Sequence, residues 1–312
     1  MYSILFDCDP GHDDVIALMV MLAHPETFRI LGITTVAGNQ TVEKVTDNAL
    51  KVLDYLGFPE IPVSRGAARP LCREPEPQPQ AHGESGLDGP QLPPAVSRPT
   101  GEHAVTFLKK TLEAADQPVT LLATAPLTNL ALLLQVCPQA REKIDRICLM
   151  GGSLYGGNIL PRAEFNIYHD PEAAKIVFTS GIPIVMSGLE VCHAAGVPLE
   201  AYPALRGGGK ASQLTVELLD FYTQYSRVRG LPTTDIFDLT PVVELLRPDL
   251  FTGRTYAVDV ETQGLLCRGM TVADLEGTFR TPKSTRILTG VDRDAYVRIF
   301  LDSIRALDRR CR

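Results

Sequence analysis

The sequence predicts an α/β fold built on an open, mostly parallel sheet flanked by helices, with a peripheral hairpin and further helices towards the C-terminal end. Three observations carry this. Strand and helix signals alternate through roughly residues 1–190, the pattern that winds a parallel sheet between helices. The strand candidates are short apolar runs, as buried strands should be. Each one runs directly into a polar or glycine-containing cluster, and ligands of open α/β sheets bind at that edge. Together these describe a Rossmann-like arrangement.

Ile4-Leu5-Phe6 reads as the first buried strand. Pro10-Gly11 forces a turn, and residues 15–22 are apolar throughout, a buried helix. Residues 29–36 form a second strand candidate ending at Ala37-Gly38-Asn39; 41–56 follow with helical spacing, and 61–63 make a short third strand. From 64 to 100 the pattern stops, and proline-rich segments surround His82-Gly83-Glu84-Ser85-Gly86-Leu87-Asp88-Gly89. A connection of that length in a compact domain is expected to be a lid or binding loop, or else disordered. Residues 102–115 are helical, 119–124 are a buried strand, and Pro126-Leu127-Thr128-Asn129 opens another helix. Residues 145–150 are a strand ending in Gly151-Gly152, and a helix over 171–180 leads into a strand over 182–187. Beyond Gly188 the rhythm changes. Helices are expected over 212–225, 238–246 and 294–307, with peripheral strands over 254–260 and 270–272. No repeat or clean linker divides the chain, so residues 1–312 are read as one domain with 64–100 as its active-site loop.

The organising stretch is Asp7-Cys8-Asp9-Pro10-Gly11-His12-Asp13-Asp14, which crowds four carboxylates at the first strand-to-helix corner. Asp13 and Asp14 fall in the first helical turn, where the dipole favours them by only ~0.3–1 kcal/mol. That is too little to offset packing four like charges together. A hard cation resolves the repulsion, since oxygen-only clusters suit calcium or magnesium. Neighbouring helix residues point about 100° apart, so one of Asp13 and Asp14 is expected to ligate metal while the other faces substrate. His12 is read as structural or solvated.

Composition narrows the partners. Hydrophobic residues are 45% and charged residues 21% of the 312, as in an ordinary globular protein with ample core. A net charge of −7 argues against a nucleic-acid partner. No apolar run reaches the ~20 residues that span a membrane, and the N-terminus enters a strand without a leader pattern. Seven cysteines are scattered without a C-x-x-C pair, which fits reduced thiols in the cytoplasm. There is no tryptophan, so any stacking on a ligand falls to Phe, Tyr or His.

The clusters behind the strands are the Asp7–Asp14 corner, Gly38-Asn39, Thr124, Met150-Gly151-Gly152 and Ser187-Gly188. Gly157-Asn158, Glu164-Phe165-Asn166 and Asp238 lie on connections. Amides and carboxylates so concentrated suit a hydroxyl-rich ligand, because a carboxylate accepts from two hydroxyls and an amide both gives and accepts. No phosphate-cradling loop with a following Lys-Ser/Thr is present.

At this point the chain resembles the nucleoside hydrolase family of the inosine–uridine-preferring type. DCDPGHDD looks like that family's aspartate fingerprint, and collinear matches follow at 33–39 (ITTVAGN), 82–89 (HGESGLDG), 124–129 (TAPLTN) and 149–152 (LMGG). Further matches lie at Gly157-Asn158, 163–167 (AEFNI) and 170–173 (DPEA). The last third matches thinly, around Asp238 and 269–274 (GMTVAD). The resemblance implies hydrolysis of the N-glycosidic bond of a ribonucleoside to free base and ribose, with one Ca²⁺ that holds water and the ribose 2′- and 3′-hydroxyls. Carried over by motif, Asp9, Asp14, the Thr124 carbonyl and Asp238 would ligate the metal, with Asp9 also the general base. Asp13, Asn39, Asn158, Glu164 and Asn166 would hold ribose hydroxyls, Met150 would pack nearby, and Asp7 would orient the others. Relatives are commonly homodimers or homotetramers.

One position departs from the pattern. Family members often carry His-Asp where the last metal ligand lies, and that His protonates the departing base; here the pair is Phe237-Asp238. General acid catalysis is worth roughly 10²–10⁴-fold. The proton could come from Tyr225, Asp235, Arg227 or His82, or from solvent, or Phe237 could stack on an unusual base. Two other functions compete with the hydrolase. A sensor could have kept the nucleoside or ribose site and lost turnover. A metal-dependent phosphatase could use Asp7-x-Asp9, although the matched motifs lack a lysine or arginine to neutralise phosphate.

Overall fold

The computed structural model describes residues 1–311. Six strands, β1 (Tyr2–Cys8), β2 (Phe28–Thr35), β3 (Val63–Arg65), β4 (Val119–Ala123), β5 (Ile144–Met150) and β6 (Ile184–Ser187), occupy the first two thirds of the chain. Two-residue strands β7 (Val197–Pro198) and β8 (Thr233–Thr234) follow, then β9 (Phe251–Tyr256), β10 (Val258–Val260), β11 (Thr271–Ala273) and β12 (Thr285–Val291). The interleaved helices are α1 (His12–Ala23), α2 (Val42–Leu56), the single turn α3 (Pro79–His82), α4 (Ala104–Ala114), α5 (Thr128–Val136), α6 (Phe165–His169) and α7 (Pro171–Phe178). Five more follow: α8 (Leu189–Ala194), α9 (Lys210–Tyr222), α10 (Gln224–Val228), α11 (Leu239–Leu246) and α12 (Arg293–Asp308).

The main sheet has eight strands in the order β3-β2-β1-β4-β5-β6-β12-β9, with all neighbours parallel except β9 against β12. One face is covered by α1, α9, α11 and α12, the other by α4, α5 and α7. Every residue of α1 is buried, which is why its sequence is apolar on all sides past the acidic first turn. No helix among the described residues is long and apolar enough to cross a membrane, and all seven cysteines are unpaired.

The α/β expectation holds through the first 190 residues, with element ends displaced by a few positions. The C-terminal region differs. Residues 254–260 do not form one peripheral strand: the chain to Tyr256 closes the edge of the main sheet, and only Val258–Val260 pairs with Thr271–Ala273 as a small antiparallel hairpin. Strand β12 has no counterpart in the sequence reading, yet it extends the parallel sheet beyond β6. Its second residue is Arg286, whose Nη1 donates to Glu244 Oε1 on α11 at 2.6 Å. A half-buried arginine, paired with a buried glutamate, thus breaks the start of a strand whose apolar run is only Ile287-Leu288.

Candidate active site

Strand order reverses between β1 and β4, so the crevice beyond their C-terminal ends is the topological switch point where open α/β sheets bind ligands. Asp7 stays inside the sheet. Its Oδ1 accepts from Thr34 Oγ1 at 2.5 Å and from Asn129 Nδ2 at 2.8 Å. Asn129 also donates to the Thr35 carbonyl (3.0 Å) and accepts from the Ala67 amide (2.9 Å). One buried amide thereby joins β1, β2, α5 and the start of the long loop. Asn129→Ala strands these buried partners, and each unmet group costs about 1–3 kcal/mol. Guanidinium unfolding should show a loss of about 3 kcal/mol or more.

Beyond Asp7 the carboxylates converge. Asp9 Oδ2 accepts from the Asn39 amide at 2.7 Å, and Gly38 lets that approach occur because a Cβ there would lie 2.0 Å from the same oxygen. Asp14 accepts from the Gly11 amide (3.0 Å) and from Thr124 Oγ1 (2.7 Å). Asp13 faces the Tyr222 hydroxyl, which donates to its Oδ2 at 3.5 Å. Asp13, Asp14 and Asp238 each offer an oxygen within 4.8 Å of the others. Burial, followed by repulsion from neighbouring aspartates, holds Asp9 and Asp238 well above the carboxylate range and pushes Asp13 up to about 7. Burial also raises Asp14, against hydrogen bonds from Thr124 and Gly11. One oxygen each of Asp7, Asp9 and Asp13 is buried without a partner. No lysine or arginine lines the cavity above. Desolvated carboxylates, orphaned oxygens and the lack of lysine or arginine fit a hard divalent cation. That trio contains Asp13, which the resemblance assigned to the ribose, and does not include Asp9.

The rest of the predicted site rings a cavity of about 100 Å³. Asp13, Asn39, His82, Thr124, Met150, Asn158, Glu164, Asn166, Phe237 and Asp238 all contribute to its wall, joined by Phe165 and Tyr222. Asn166 Nδ2 donates to the carbonyls of Thr124 (3.0 Å) and Met150 (3.1 Å). Glu164 caps α6, accepting from the amides of Asn166 (2.9 Å), Ile167 (3.2 Å) and Gly152 (2.8 Å). Burial still pushes its carboxyl up to about 7. Asn158 accepts from the Phe165 amide at 2.9 Å, which locks the loop over this edge.

The long loop delivers His82. Its ring stacks on Tyr222 at 5.6 Å and on His12 at 5.4 Å between centroids. Of the two roles expected for His12, structural or solvated, the structural, buried one holds: its Nδ1 lies 3.1 Å from His82 Nδ1 and its Nε2 donates to the Asp88 carbonyl at 2.8 Å. Burial lowers His12 to about 4 and His82 to about 3, so both rings are neutral.

Tyr222 and Phe237 also wall a second, outer cavity of about 490 Å³. Tyr225 lines this outer space only, 60% exposed, with the Arg229 guanidinium 4.3 Å above its ring. Arg227, a candidate proton source, lines neither cavity and instead donates to Tyr202 OH (2.8 Å) and Thr223 Oγ1 (3.2 Å). Asp235 reaches the outer cavity paired with His193, whose Nδ1 lies 2.7 Å from its Oδ2. Tyr222 and His193 were not singled out from the sequence. Nothing local marks them, since both gain their position from segments distant along the chain.

Residues 4–298 match the family model described as inosine-uridine preferring nucleoside hydrolase. The chain belongs to that family. It is 45% identical over 305 residues to the pyrimidine-specific ribonucleoside hydrolase RihA of Escherichia coli strain K12, covering 97% of this chain and 98% of that one. Solved relatives include a plant nucleoside hydrolase (TM-score 0.91, 30% identity, 98% and 99% of the two chains). Another is the purine-preferring ribonucleoside hydrolase of Gardnerella vaginalis (TM-score 0.90, 29% identity, 99% and 100%). This nucleoside hydrolase therefore splits ribonucleosides with water at the N-glycosidic bond. A purine-preferring relative shares this fold and a pyrimidine-specific one shares 45% of the sequence, so membership of the family does not select the base.

Proposed function

We propose that this hydrolase is calcium-dependent, uses Asp9 as general base, and prefers pyrimidine ribonucleosides such as uridine and cytidine. The observation that carries the calcium-dependent reaction is the buried carboxylate floor beneath a cavity ringed by amides and carboxylates, with no lysine or arginine in its lining. The pyrimidine preference rests on the 45% identity to RihA.

Asp9, Asp14, Asp238 and the Thr124 carbonyl would hold the ion. Calcium, when bound, supplies the positive charge that offsets these carboxylates and favours ionisation of water. The unpartnered Asp9 Oδ1 is free to take the proton of the attacking water. Asp13, Asn39, Asn158, Glu164 and Asn166 hold the ribose hydroxyls, Met150 packs on the sugar, and Asp7 keeps β1 in place behind them. As the glycosidic bond lengthens, positive charge grows on the ribose, and the surrounding carboxylates stabilise it where it develops. The base points past Tyr222 and Phe237 into the outer cavity, near His82 and Tyr225. The unpaired cysteines fit a cytoplasmic enzyme, and we place it there as a homodimer or homotetramer.

The test is a ribose-release assay on full-length protein over a nucleoside panel, after EDTA treatment and with calcium restored. Uridine and cytidine should yield ribose only with calcium, and Asp9→Ala should abolish it. Ribose from none of the nucleosides would overturn the reading, as would release of inorganic phosphate from nucleotides instead. Faster turnover of purine nucleosides would overturn the base assignment alone.

A further inference from the structure

The carboxylate floor leaves one demand unmet. The departing base carries off the electron pair of the broken C–N bond and needs a proton, and Phe237 has none to give. The groups nearest the sugar are poor sources. His82 is held neutral by burial, and burial beside Asp13 raises the Tyr222 phenol well above its usual range.

The outer cavity offers another group. His193 lies on α8, just past the end of β6, and Asp235 lies 42 residues on, just past β8. The pairing of β7 with β8, Val197 against Thr234, brings the two segments together. Asp235 engages His193 Nδ1, which leaves Nε2 as the free proton carrier, with no protein partner among the described residues. The hydrogen bond that Nδ1–H donates to Asp235 also holds the imidazole above its ordinary value. The ring stands edge-on to Phe237, with centroids 6.1 Å apart at 70°. It lines the outer cavity with Phe237 and Tyr222, the two residues that also wall the inner one. A base entering between them meets this imidazole.

We propose that His193, held by Asp235, is the general acid that protonates the leaving base. The inference rests on the base occupying the outer cavity, as argued above. The C1′–N bond breaks with its electron pair moving to the base, and His193 Nε2–H passes its proton to the base, leaving a neutral imidazole. Water adds to C1′ and gives its proton to Asp9, and exchange with solvent returns both groups to their starting forms. Asp235 is a positioning residue in this scheme.

The test compares two substrates in the calcium-loaded full chain. One is uridine, or whichever nucleoside of the panel turns over fastest. The other is p-nitrophenyl β-ribofuranoside, whose leaving group departs as a stable anion. His193→Ala should lower the nucleoside-to-nitrophenyl ratio of kcat by about 10²-fold or more, and added imidazole should recover part of the loss on the nucleoside. Asp235→Asn should move the ratio in the same direction by a smaller factor. His193 is a half-exposed surface residue, and an unchanged Tm would verify that the variant is folded. An equal fall on both substrates, or no fall on either, overturns the assignment while leaving the hydrolase reading intact. If the wild-type chain cleaves no nucleoside at all, both fall.

Discussion

Asparagine at position 238 (D238N) should cut kcat/KM for ribonucleosides by about 10³-fold, because the charge stabilisation supplied by a bound cation is worth several kcal/mol. The same substitution should make the metal-free protein more stable. Asp238 is buried against Asp13, Asp14 and Asp9, and both burial and repulsion hold its carboxyl well above the usual range. Burial also pushes Asp7 and Asp13 up to about 7, in the case of Asp13 with help from Asp14. Unfolded aspartates titrate near 4. The folded form therefore binds more protons than the unfolded one between these values, and stability is lost as pH rises through the folded range. Removing one member relieves that penalty. The Tm gain of D238N in EDTA should be near zero around pH 4 and greatest around pH 8. Calcium should raise the wild-type Tm most at the same high pH, by the equivalent of about 2.7 kcal/mol at a hundredfold excess over its Kd. D238N should lose most of that response. Scanning fluorimetry across this range, with EDTA and with calcium, checks both signs. A D238N protein that melts below wild type at every pH in EDTA would show that the cluster is not repulsive.

The second large effect concerns the base side. Histidine in place of Phe237 (F237H) should restore about 10²-fold of nucleoside turnover to His193→Ala, and do much less in the wild-type background. One departing base takes one proton, so a second acid beside a working one is redundant, and the two substitutions should be strongly non-additive. The position is apt, because Phe237 walls both cavities and precedes Asp238 directly. Steady-state kinetics on the four variants of the cycle give the coupling directly. Simple additivity, with F237H accelerating wild type as much as it accelerates His193→Ala, would mean that wild type works without a protein acid.

Much of the sugar-facing half was legible before any coordinates. In a parallel sheet the polar residue that follows an apolar run must emerge at the C-terminal edge, so Asp9, Asn39, Thr124 and Gly151-Gly152 gather there whatever the helices do. The acidic corner was legible for the same reason: Pro10-Gly11 turns the chain, and α1 starts with Asp13 and Asp14 in its first turn. Sheet order then carried β1 and β4 side by side at the reversal point. Strand β12 escaped because Arg286, near its start, pairs with the buried Glu244, and a single charge in a strand reads as surface when its partner lies 42 residues away. The inner cavity takes Tyr222 and the outer one both Tyr222 and Tyr225, because α9 ends at Tyr222 and the chain restarts as α10, which carries Tyr225 outward.

The sequence by itself determined the sheet edge, the acidic corner and the amide ring. Each of these depends on residues adjacent in the chain and on the period of the elements that carry them. The tertiary structure alone decided which aspartates share a volume small enough for one ion, and that His12 is buried between α1 and the loop that brings His82. It alone set His193 against Asp235. Those decisions are made by helix ends, loop closures and a two-residue strand pairing, where contacts between distant segments outweigh any local preference.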